Sequence, residues 1–426
     1  MSETARAPAA IETVASKLAA HGIHARPGEE RAGDAVSGVV PSLVATPADT
    51  AGVESAMALA NRHGLAVVAR GNGSKIDWGA PPRRLDMTVA TTALTGITHA
   101  SGDLVARVGA GTPLAQLQEE LATAGQRLSV DTVIAGSTVG GVVATGLSGP
   151  RRLLHGSVRD LVIGMTVVGA DAVATSSGGA VVKNVAGYDL AKLHTGALGT
   201  LGVITSVTFR LHPIAPALRL VRATTSDPAA ARAWVWDMAR SPAVASAVEL
   251  DWPAGGALHL YVLLEGTVAG VEARAAAVAA SLRGGAAEPD TRADLPAGWG
   301  AAPGEDGDTL LRVSCPIAAT VDTALALRSA GEAVGVPVAV RGSAGAGVLL
   351  ASVPARTAAA DVATIVTRVR TELAEGSVTV ARPAAAVRGS GLDLWGEVAG
   401  LELMRAVKDS FDPGHHLAPG RFVGGI

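Results

Sequence analysis

The residues best suited to chemistry lie in the segment 181–205, which reads VVKNVAGYDLAKLHTGALGTLGVIT. Lys183, Asn184 and Tyr188 offer charge, hydrogen bonding and acid–base capacity on what the spacing predicts to be an amphipathic helix. Three glycines, at positions 196, 199 and 202, follow just before a β-branched run. Since glycine weakens the interior of a strand, this cluster is better explained by backbone that approaches a ligand closely. The segment therefore predicts a site for a flat or phosphorylated molecule.

Four glycine-containing motifs upstream come in an order that supports this interpretation. They are RGNGSK at 70–75, GSTVGG at 136–141, GPRR at 149–152 and GSVRD at 156–160. The first follows an apolar run, so it is expected to join a strand to a loop whose N–H groups can turn toward an anion. Taken alone, that loop is equally consistent with a simple turn, because Gly-Asn and Asn-Gly pairs form turns readily. It also departs from the dinucleotide-binding fingerprint, because isoleucine stands where the third glycine would be.

Together these motifs resemble the FAD-binding half of the vanillyl-alcohol oxidase and p-cresol methylhydroxylase (PCMH) family. Within that family, the GPRR, GSVRD and KNVAGYDL strings are similar to those of the FAD-binding E subunits of glycolate oxidase (glycolate dehydrogenase). The resemblance covers residues 36–215 and returns in FDP at 411–413 and PGRF at 419–422. One departure is Ala418, which stands where the family usually has asparagine before Pro-Gly-Arg.

The resemblance implies an FAD site built largely from backbone. The RGNGSK loop would contact the pyrophosphate, with Lys75 neutralising charge, and the glycine-rich strand start after residue 196 would meet the adenine and ribityl parts. The cofactor-binding residues implied in this way are Arg70, Gly71, Asn72, Gly73, Ser74, Lys75, Ser137, Thr138, Gly140, Gly141, Gly146, Gly156, Ser157, Asp160, Lys183, Asn184, Gly199, Gly202, Val203, Ile204 and Arg421. Because the loop carries no histidine or cysteine for the common covalent attachment, the FAD is expected to be non-covalent.

Hydride transfer from a hydroxy acid needs a carboxylate anchor and a base that converge over the flavin. Arg151, Arg152 and Arg421 are candidate anchors, because a guanidinium group matches a carboxylate, and Tyr188 and His155 are candidate bases. Of these, Arg151, Tyr188 and His155 are predicted to be catalytic, and which member of the arginine pair faces the flavin stays open. The ten histidines include no HxxGDGxxH string, with which related hydroxy-acid dehydrogenases bind a metal, so no catalytic metal is expected.

Composition and charge argue against several classes of protein. No segment supplies the ~20 uninterrupted apolar residues of a membrane helix, and the first residues lack the apolar core of a secretory signal. The net charge of −3 and the absence of a basic run argue against nucleic acid as a partner. The single cysteine, Cys315, excludes a disulfide within the chain and an iron–sulfur cluster held by this chain alone. We expect a cytoplasmic protein, with peripheral attachment to the inner face of the cell membrane through partner subunits as an alternative.

The element pattern predicts an α+β fold with more than one domain. Alternating strands and helices twice follow the order β-α-β-β-α, from 218 to 282 and from 310 to 373, which predicts two ferredoxin-like halves. The predicted divisions are an N-terminal helix and connector (1–35), a two-subdomain PCMH-type FAD-binding domain (36–215), a ferredoxin-like α+β cap that shapes the substrate pocket (216–398), and a C-terminal helix and tail returning to the FAD site (399–426).

Three functions are compatible with these residues. In the first, the chain is an FAD-binding subunit of a glycolate (2-hydroxy acid) dehydrogenase complex, beside a second flavin subunit and an iron–sulfur subunit that accepts electrons. In the second, it is a stand-alone FAD-dependent oxidoreductase of a small hydroxy acid or alcohol. In the third, it is a structural subunit that binds FAD without catalysis. We favour the first, because the sequence supplies arginines to anchor a carboxylate but no assured base or metal.

Overall fold

The computed structural model of the chain describes residues 3–28, 31, 33–179, 188–284 and 288–426. Its first sheet has four strands and carries the RGNGSK loop. The elements are α1 (Glu3–Ala20), β1 (His24–Pro27), β2 (Leu43–Thr46), α2 (Thr50–Arg62), β3 (Val67–Arg70) and β4 (Met87–Ala90). The strands lie in the order β1-β2-β4-β3, and β4 runs parallel to both β2 and β3. Val14 and Leu18 of α1 pack with Val53 and Met57 of α2 in the core beside this sheet, as their helical spacing predicts.

A five-stranded antiparallel sheet follows and carries the other glycine motifs. Its strands lie in the order β5-β6-β10-β8-β9. The elements of this region are β5 (Ile97–Ala100), β6 (Val105–Gly109), α3 (Leu114–Ala122), β7 (Gln126–Arg127), α4 (Val139–Thr145), α5 (Arg152–His155), α6 (Val158–Leu161), β8 (Val162–Val168), β9 (Ala174–Gly178), α7 (Leu190–His194), β10 (Val203–Arg210) and β11 (His212–Pro213). Short 3-10 turns occupy Thr91–Ala93 and Ser101–Asp103 here, and Ile317–Ala319, Ala344–Ala346 and Val423–Gly425 later in the chain.

The helix expected before the glycine cluster of segment 181–205 is described only in its last part, α7. Residues 180–187 lie outside the described residues, so the predictions for Lys183 and Asn184 lie outside them too. The glycine-rich turn after α7 leads into β10. Because β10 is the central strand of the five-stranded sheet, it fixes the position at which that turn ends.

An eight-stranded antiparallel sheet occupies the C-terminal half, in the order β15-β12-β14-β13-β17-β18-β16-β19. Its elements are β12 (Ala217–Thr225), α8 (Pro228–Arg240), β13 (Ala247–Trp252), β14 (Leu258–Gly266), α9 (Val268–Ser281), β15 (Asp290–Arg292), β16 (Thr309–Ser314), α10 (Thr320–Glu332), β17 (Ala339–Ser343), β18 (Val348–Val353), α11 (Ala359–Glu372) and β19 (Ser377–Arg382), with α12 (Leu401–Phe411) after it. Each half of the sheet follows the order β-α-β-β-α-β, and the halves join where β13 pairs with β17. This is the element order that the sequence predicts for two ferredoxin-like halves, with one further strand in each.

The two edge strands of this sheet were missing from the sequence prediction. β15 has only three residues, Asp290–Arg292, inside a stretch that reads as a polar loop, and it is held only by pairing with β12. β19 follows a helix that the sequence marks clearly, but its pairing partner β16 lies more than sixty residues upstream. Both strands depend on long-range pairing, which local propensity does not report.

Alternation along the strands gives the eight-stranded sheet two different faces. Val248, Leu250, Leu311 and Val313 point to one face and pack in the core with α8, α9, α10 and α11. The residues between them point the other way, toward the glycine motifs. We call this second surface the inner face, and its members are Glu249, Glu265, Leu310, Arg312, Arg341, Ser343 and Thr379. Leu220, Ala247 and Leu263 form a small hydrophobic cluster at one end of this face, whereas the polar residues near the glycine motifs indicate a site.

Candidate functional site

Two adjoining cavities lie where the glycine loops meet the inner face. The loop cavity holds about 70 Å³ and is lined by residues 69–76 with Thr138, Gly141, Ala144, Thr145, Leu198 and Arg421. The cap cavity holds about 320 Å³ and is lined by Trp78, Gly79, Thr145, Gly196, Leu198, Arg312, Ser314, Ser377, Thr379, Ala381, Trp395 and Phe422. Thr145 and Leu198 belong to both walls, so one elongated ligand can occupy both cavities.

The RGNGSK loop is pressed against the start of α4. A Cβ atom on Gly71 would lie 2.3 Å from Thr138 Oγ1, so a side chain at position 71 would displace the loop. Gly73 has φ +83°, the left-handed conformation that glycine adopts without strain. Asn72 Nδ2 donates to the carbonyl of Gly136 at 3.1 Å, and Thr138 Oγ1 accepts from Gly141 N at 3.3 Å. The GSTVGG segment therefore caps α4 and holds the loop in place at the same time.

Two buried cations line the loop cavity without carboxylate partners among the described residues. Lys75 is 8% exposed, its Nζ donates to Ser137 Oγ at 2.5 Å, and burial lowers its pKa to about 8. Arg421 is 3% exposed, and its Nη2 donates to the carbonyls of Ile76 and Trp78, both at 2.6 Å, while its Nε has no partner. Burial lowers the pKa of Arg421 to about 10. Buried charge of this kind is costly unless an anion neutralises it, so the cavity favours an anionic ligand.

Arg70 has a different environment, although it begins the same loop. Its Nη1 lies 3.1 Å from Asp34 Oδ1, and Asp34 also pairs with Arg26 at 2.5 Å. The hydrogen bond from Arg26 is the largest effect that holds the pKa of Asp34 below its ordinary value, and the charge of Arg70 adds to it. A Cβ on Gly73 would lie 3.0 Å from Arg70 Nε. Arg70 therefore shares one carboxylate with Arg26 and packs against the loop.

The turn after α7 extends the C-terminal end of α4. Gly196 N donates to the carbonyl of Val143 at 2.9 Å, and Leu198 N donates to that of Ala144 at 2.8 Å. Gly146 ends α4 in the left-handed conformation, with φ +60°, and a Cβ on it would lie 3.4 Å from Gly196 Cα. These contacts place Gly196 and Leu198 in the cavity walls. Gly146 acts behind them as a close-packing glycine.

Several predicted cofactor contacts line neither cavity. Gly202 packs on β8, where its Cβ would lie 2.4 Å from Val167 Cγ1, and Val203 and Ile204 are 0% and 7% exposed inside β10. Gly199 has φ +77° and open space around it. Gly140 approaches the strand segment at Ala110, with 2.8 Å between its Cβ position and that of Ala110. For these five residues the arrangement supports packing and turn formation.

The GSVRD motif also forms a local cap. Asp160 Oδ2 accepts from Ser157 N at 2.8 Å and from Ser157 Oγ at 2.7 Å, which closes a capping box at the start of α6. Gly156 precedes it in the left-handed region, and its Cβ would lie 2.8 Å from that of Asp160. Gly156, Ser157 and Asp160 line neither cavity.

Arg151, predicted to be catalytic, lies in an ion-pair network between the N-terminal half and the inner face. Its Nη1 pairs with Asp131, and its Nη2 lies 3.2 Å from Glu265 on β14. Burial alone would lower the pKa of Arg151, but the charges of Asp131 and Glu265 outweigh it and raise the pKa. The guanidinium group is thus matched by two carboxylates and does not line the cavities.

The two predicted bases are likewise away from the cavities. Tyr188 is 90% exposed. His155 on α5 packs on His212, with 4.3 Å between ring centroids, and its Nε2 has no partner among the described residues. Burial, together with the positive charges of His212 and Arg127, lowers the pKa of His155 to about 4, so the ring is neutral at pH 7.

Arg312 is the functional candidate that the sequence did not reveal. It projects from β16 into the wall of the cap cavity beside Ser314 and Thr379, and burial lowers its pKa. Among the described residues it has no ion-pair or hydrogen-bond partner, and the same holds for the side chain of Arg152. The available signal was the alternation in TLLRVS, where a lone arginine falls on the polar side of an otherwise apolar strand.

Other site types find no support within the described ranges. No group of three or more histidine, cysteine, aspartate or glutamate side chains there could hold a metal ion. Among those residues, no helix is both long and apolar enough to cross a membrane.

Known proteins match this chain in sequence and in fold. Residues 41–178 match a family model described as FAD binding domain. The chain is 33% identical over 171 residues to D-lactate dehydrogenase of Archaeoglobus fulgidus, which covers 40% of this chain and 39% of that protein. It is 39% identical over 150 residues to glycolate oxidase subunit GlcE of Escherichia coli. That match covers 34% of this chain and 42% of that subunit. In both cases the match spans less than half of the relative.

The fold comparison extends over nearly the whole chain. Glucooligosaccharide oxidase of Acremonium strictum superposes with a TM-score of 0.71 at 16% identity, covering 95% of this chain and 96% of that one. Similarity at this identity shows the fold, and it confirms the predicted α+β class with a two-subdomain FAD-binding part and a ferredoxin-like cap. The chain thus has the fold of the vanillyl-alcohol oxidase and PCMH-type flavoproteins, with residues 41–178 matching an FAD binding domain.

Proposed function

We propose that the chain is an FAD-dependent oxidoreductase subunit that handles a small 2-hydroxy acid, as part of a complex of the glycolate dehydrogenase type. The observation that carries the proposal is Arg312, a partly buried guanidinium in the wall of the cap cavity that has no ion-pair partner among the described residues. It lies next to a loop cavity with two further cations, Lys75 and Arg421, that have no carboxylate partner within the same described ranges. An anionic group of a cofactor and an anionic group of a substrate would neutralise these cations.

The FAD pyrophosphate is assigned to the loop cavity. Lys75 and Arg421 would neutralise it, and the N–H groups of Gly71 to Ser74 would donate to its oxygens. The residues that would hold the ring system are those of the cap cavity, whose lining includes Thr145, Leu198, Trp78 and Phe422. FAD, when bound, accepts a hydride from the substrate carbon. The described lining of both cavities includes no histidine, cysteine or tyrosine, which supports non-covalent binding.

The substrate carboxylate is assigned to Arg312. Its planar guanidinium suits a carboxylate, and the hydroxyl groups of Ser314 and Thr379 in the same wall can donate to the remaining oxygens. Arg312 is better supported in this role than Arg151, because Asp131 and Glu265 already neutralise Arg151.

An accessory role in a complex follows from what the cap cavity lacks. Its described lining contains no carboxylate, histidine or tyrosine that would accept the substrate's hydroxyl proton. We therefore propose a second flavin subunit and an iron–sulfur subunit as partners. The name of the similar E. coli protein describes it as one subunit of a glycolate oxidase. A cytoplasmic position, either free or attached to the membrane face through those partners, belongs to the same proposal.

Anaerobic reduction of the flavin tests this function. The isolated chain should bind about one FAD, released by acid, and glycolate or D-lactate should reduce it slowly or not at all. The reconstituted complex should be reduced rapidly. In the complex, Arg312→Gln should raise KM for the hydroxy acid at least tenfold, whereas Arg368→Gln on the outer helix α11 should leave it unchanged.

Other results would change the conclusion. Rapid reduction of the isolated chain by a hydroxy acid would favour the stand-alone oxidoreductase. Normal turnover of a complex whose copy of this chain cannot bind FAD would favour a structural subunit.

A further inference from the structure

A third and smaller cavity also has Arg312 in its wall. It holds about 30 Å³, room for one or two water molecules, and Arg312 belongs to its wall as well as to that of the cap cavity. Arg152, Glu249, Arg341 and Ser343 line it too. An anion that binds Arg312 in the cap cavity would therefore lie close to the charged residues that line the small cavity.

Glu249 is the least satisfied member of this group. It is 6% exposed on β13, and its Oε1 has no hydrogen-bond partner among the described residues. Its register neighbours are Tyr261 on β14 and Ser343 on β17, and the Ser343 hydroxyl approaches the carboxyl without a well-aligned hydrogen bond. Burial, helped by the charge of Asp131, raises the pKa of Glu249 to about 8.

The charges that act on Glu249 are those of Asp131 in a loop, Arg152 on α5 and Arg341 on β17. Arg341 is neutralised by Asp251, 2.9 Å away, and Asp131 is paired with Arg151. Arg312 on β16 shares the cavity wall with Glu249 and Arg152, and within the described part of the chain the side chains of Arg152 and Arg312 have no ion-pair partner.

Arg152 links Glu249 to Arg312 in this wall. Burial, together with the charge of Arg312, lowers the pKa of Arg152 to about 10, and the charge of Glu249 opposes the shift. When Glu249 is ionised it offsets part of the positive charge that an incoming anion would meet.

We propose that Glu249 is a positioning residue that couples anion binding at Arg312 to proton uptake, so that the bound carboxylate and a proton on Glu249 favour each other. The inference rests on the proposed function, in that it takes the cap cavity as the carboxylate site. An anion at Arg312 and an ionised Glu249 would act on the neighbouring guanidinium groups of Arg312 and Arg152, which share one cavity wall, so each negative charge disfavours the other. The coupling is reciprocal, so anion affinity depends on the protonation of Glu249.

The sign of the pH dependence follows from this linkage. Below the pKa of Glu249 in the free protein the carboxyl is protonated with or without anion, and affinity does not change with pH. Above about pH 8 the free protein has lost the proton that the complex retains, so anion affinity falls as pH rises, by at most tenfold per pH unit. Glu249→Gln mimics the protonated carboxyl and should bind the anion tightly at every pH.

Calorimetric titration of the FAD-loaded chain with sodium acetate, which has no hydroxyl to oxidise, tests the coupling. Titrations from pH 6 to 9.5, in buffers of different ionisation enthalpy, report affinity and proton uptake together. Wild type should take up as much as one proton per acetate near pH 9, and Glu249→Gln should take up none. Glu272→Gln, a matched change on the exposed face of α9, should keep the wild-type profile.

The outcomes separate this inference from the proposed function. Acetate binding that Arg312→Gln abolishes, with no proton uptake by wild type at any pH, would overturn the role of Glu249 and leave the carboxylate site standing. FAD-loaded protein that binds no acetate would overturn both. The proton count on wild type decides the question even if Glu249→Gln fails to fold.

Discussion

Arg151 donates to Glu265 at 3.2 Å across the boundary between the N-terminal half and the inner face of the eight-stranded sheet. Arg127 pairs with the same carboxylate at 2.5 Å, and Asp131 closes the network on the other side of Arg151. Burial alone would raise the pKa of Glu265, but the hydrogen bond from Arg127 and the charge of Arg151 outweigh it and hold the pKa at about 2. This network fixes the inner face over the glycine loops, so we interpret the GPRR motif as a clamp.

Glu265→Gln should lower the free energy of unfolding by about 3–5 kcal/mol, because it leaves two buried guanidinium groups without their shared carboxylate. Glu272→Gln removes an exposed ion pair with Arg219 and should cost at most about 1 kcal/mol. Urea unfolding measures both changes.

The same pair of variants predicts a pH effect. The folded pKa of Glu265 is depressed, so its contribution to stability is present above about pH 4.5 and is lost as pH falls toward 2. Wild type should lose stability over that window more steeply than Glu265→Gln. If the free energy of unfolding falls with pH at the same rate in both proteins, ionised Glu265 does not stabilise the contact between the N-terminal half and the inner face.

Lys75→Met should weaken FAD binding by about tenfold to a hundredfold, the usual range for a lost hydrogen bond to a charged group. The apoprotein should be no less stable than wild type, because the change removes a buried charge that has no carboxylate partner among the described residues. Lys17→Met on the exposed face of α1 serves as the control. A fall in apoprotein stability with unchanged FAD affinity would assign Lys75 a structural role.

Gly71→Ala should abolish retention of FAD during gel filtration, because the new Cβ would lie 2.3 Å from Thr138 Oγ1 and push the loop away from α4. Gly102→Ala is the matched control, since its Cβ would meet nothing within 4 Å. Gly28, in the N-terminal connector, is unsuitable as a control because its Cβ would lie 1.9 Å from the carbonyl oxygen of Pro41. Equal flavin content in the two variants would mean that the loop is an ordinary turn.

The sequence predicted the loop cavity far better than the cap cavity, for a physical reason. The RGNGSK and GSTVGG motifs are contiguous, and their function depends on local backbone conformation, which glycine spacing reports. Arg312 reaches its cavity only because β16 pairs with β18 and β19 and presents alternate residues to one face. Conversely, Gly202 and Asp160 sit in motifs of the expected kind, yet one packs on β8 and the other caps α6. Similar residue types serve packing and binding, and only tertiary neighbours distinguish the two.

Lys408 and Asp412 carry the last prediction, because they hold the segment that delivers Arg421 to the loop cavity. Both side chains are 0% exposed, with 2.6 Å between Nζ and Oδ2, and Lys408 also donates to the carbonyls of Thr200 and Leu417, both at 2.8 Å. Lys408→Met should lower the free energy of unfolding by about 3–5 kcal/mol, because Asp412 is left buried and unpaired.

The double variant Lys408→Met with Asp412→Asn should recover part of that loss, since no unpaired charge remains. Both variants should also bind FAD more weakly, because Leu417, whose carbonyl accepts from Lys408, lies four residues before Arg421. Urea unfolding of the apoproteins, followed by FAD titration, separates the two effects. If the single variant loses stability but keeps full FAD affinity, Arg421 is positioned by its own hydrogen bonds to Ile76 and Trp78, and the buried pair acts on stability alone.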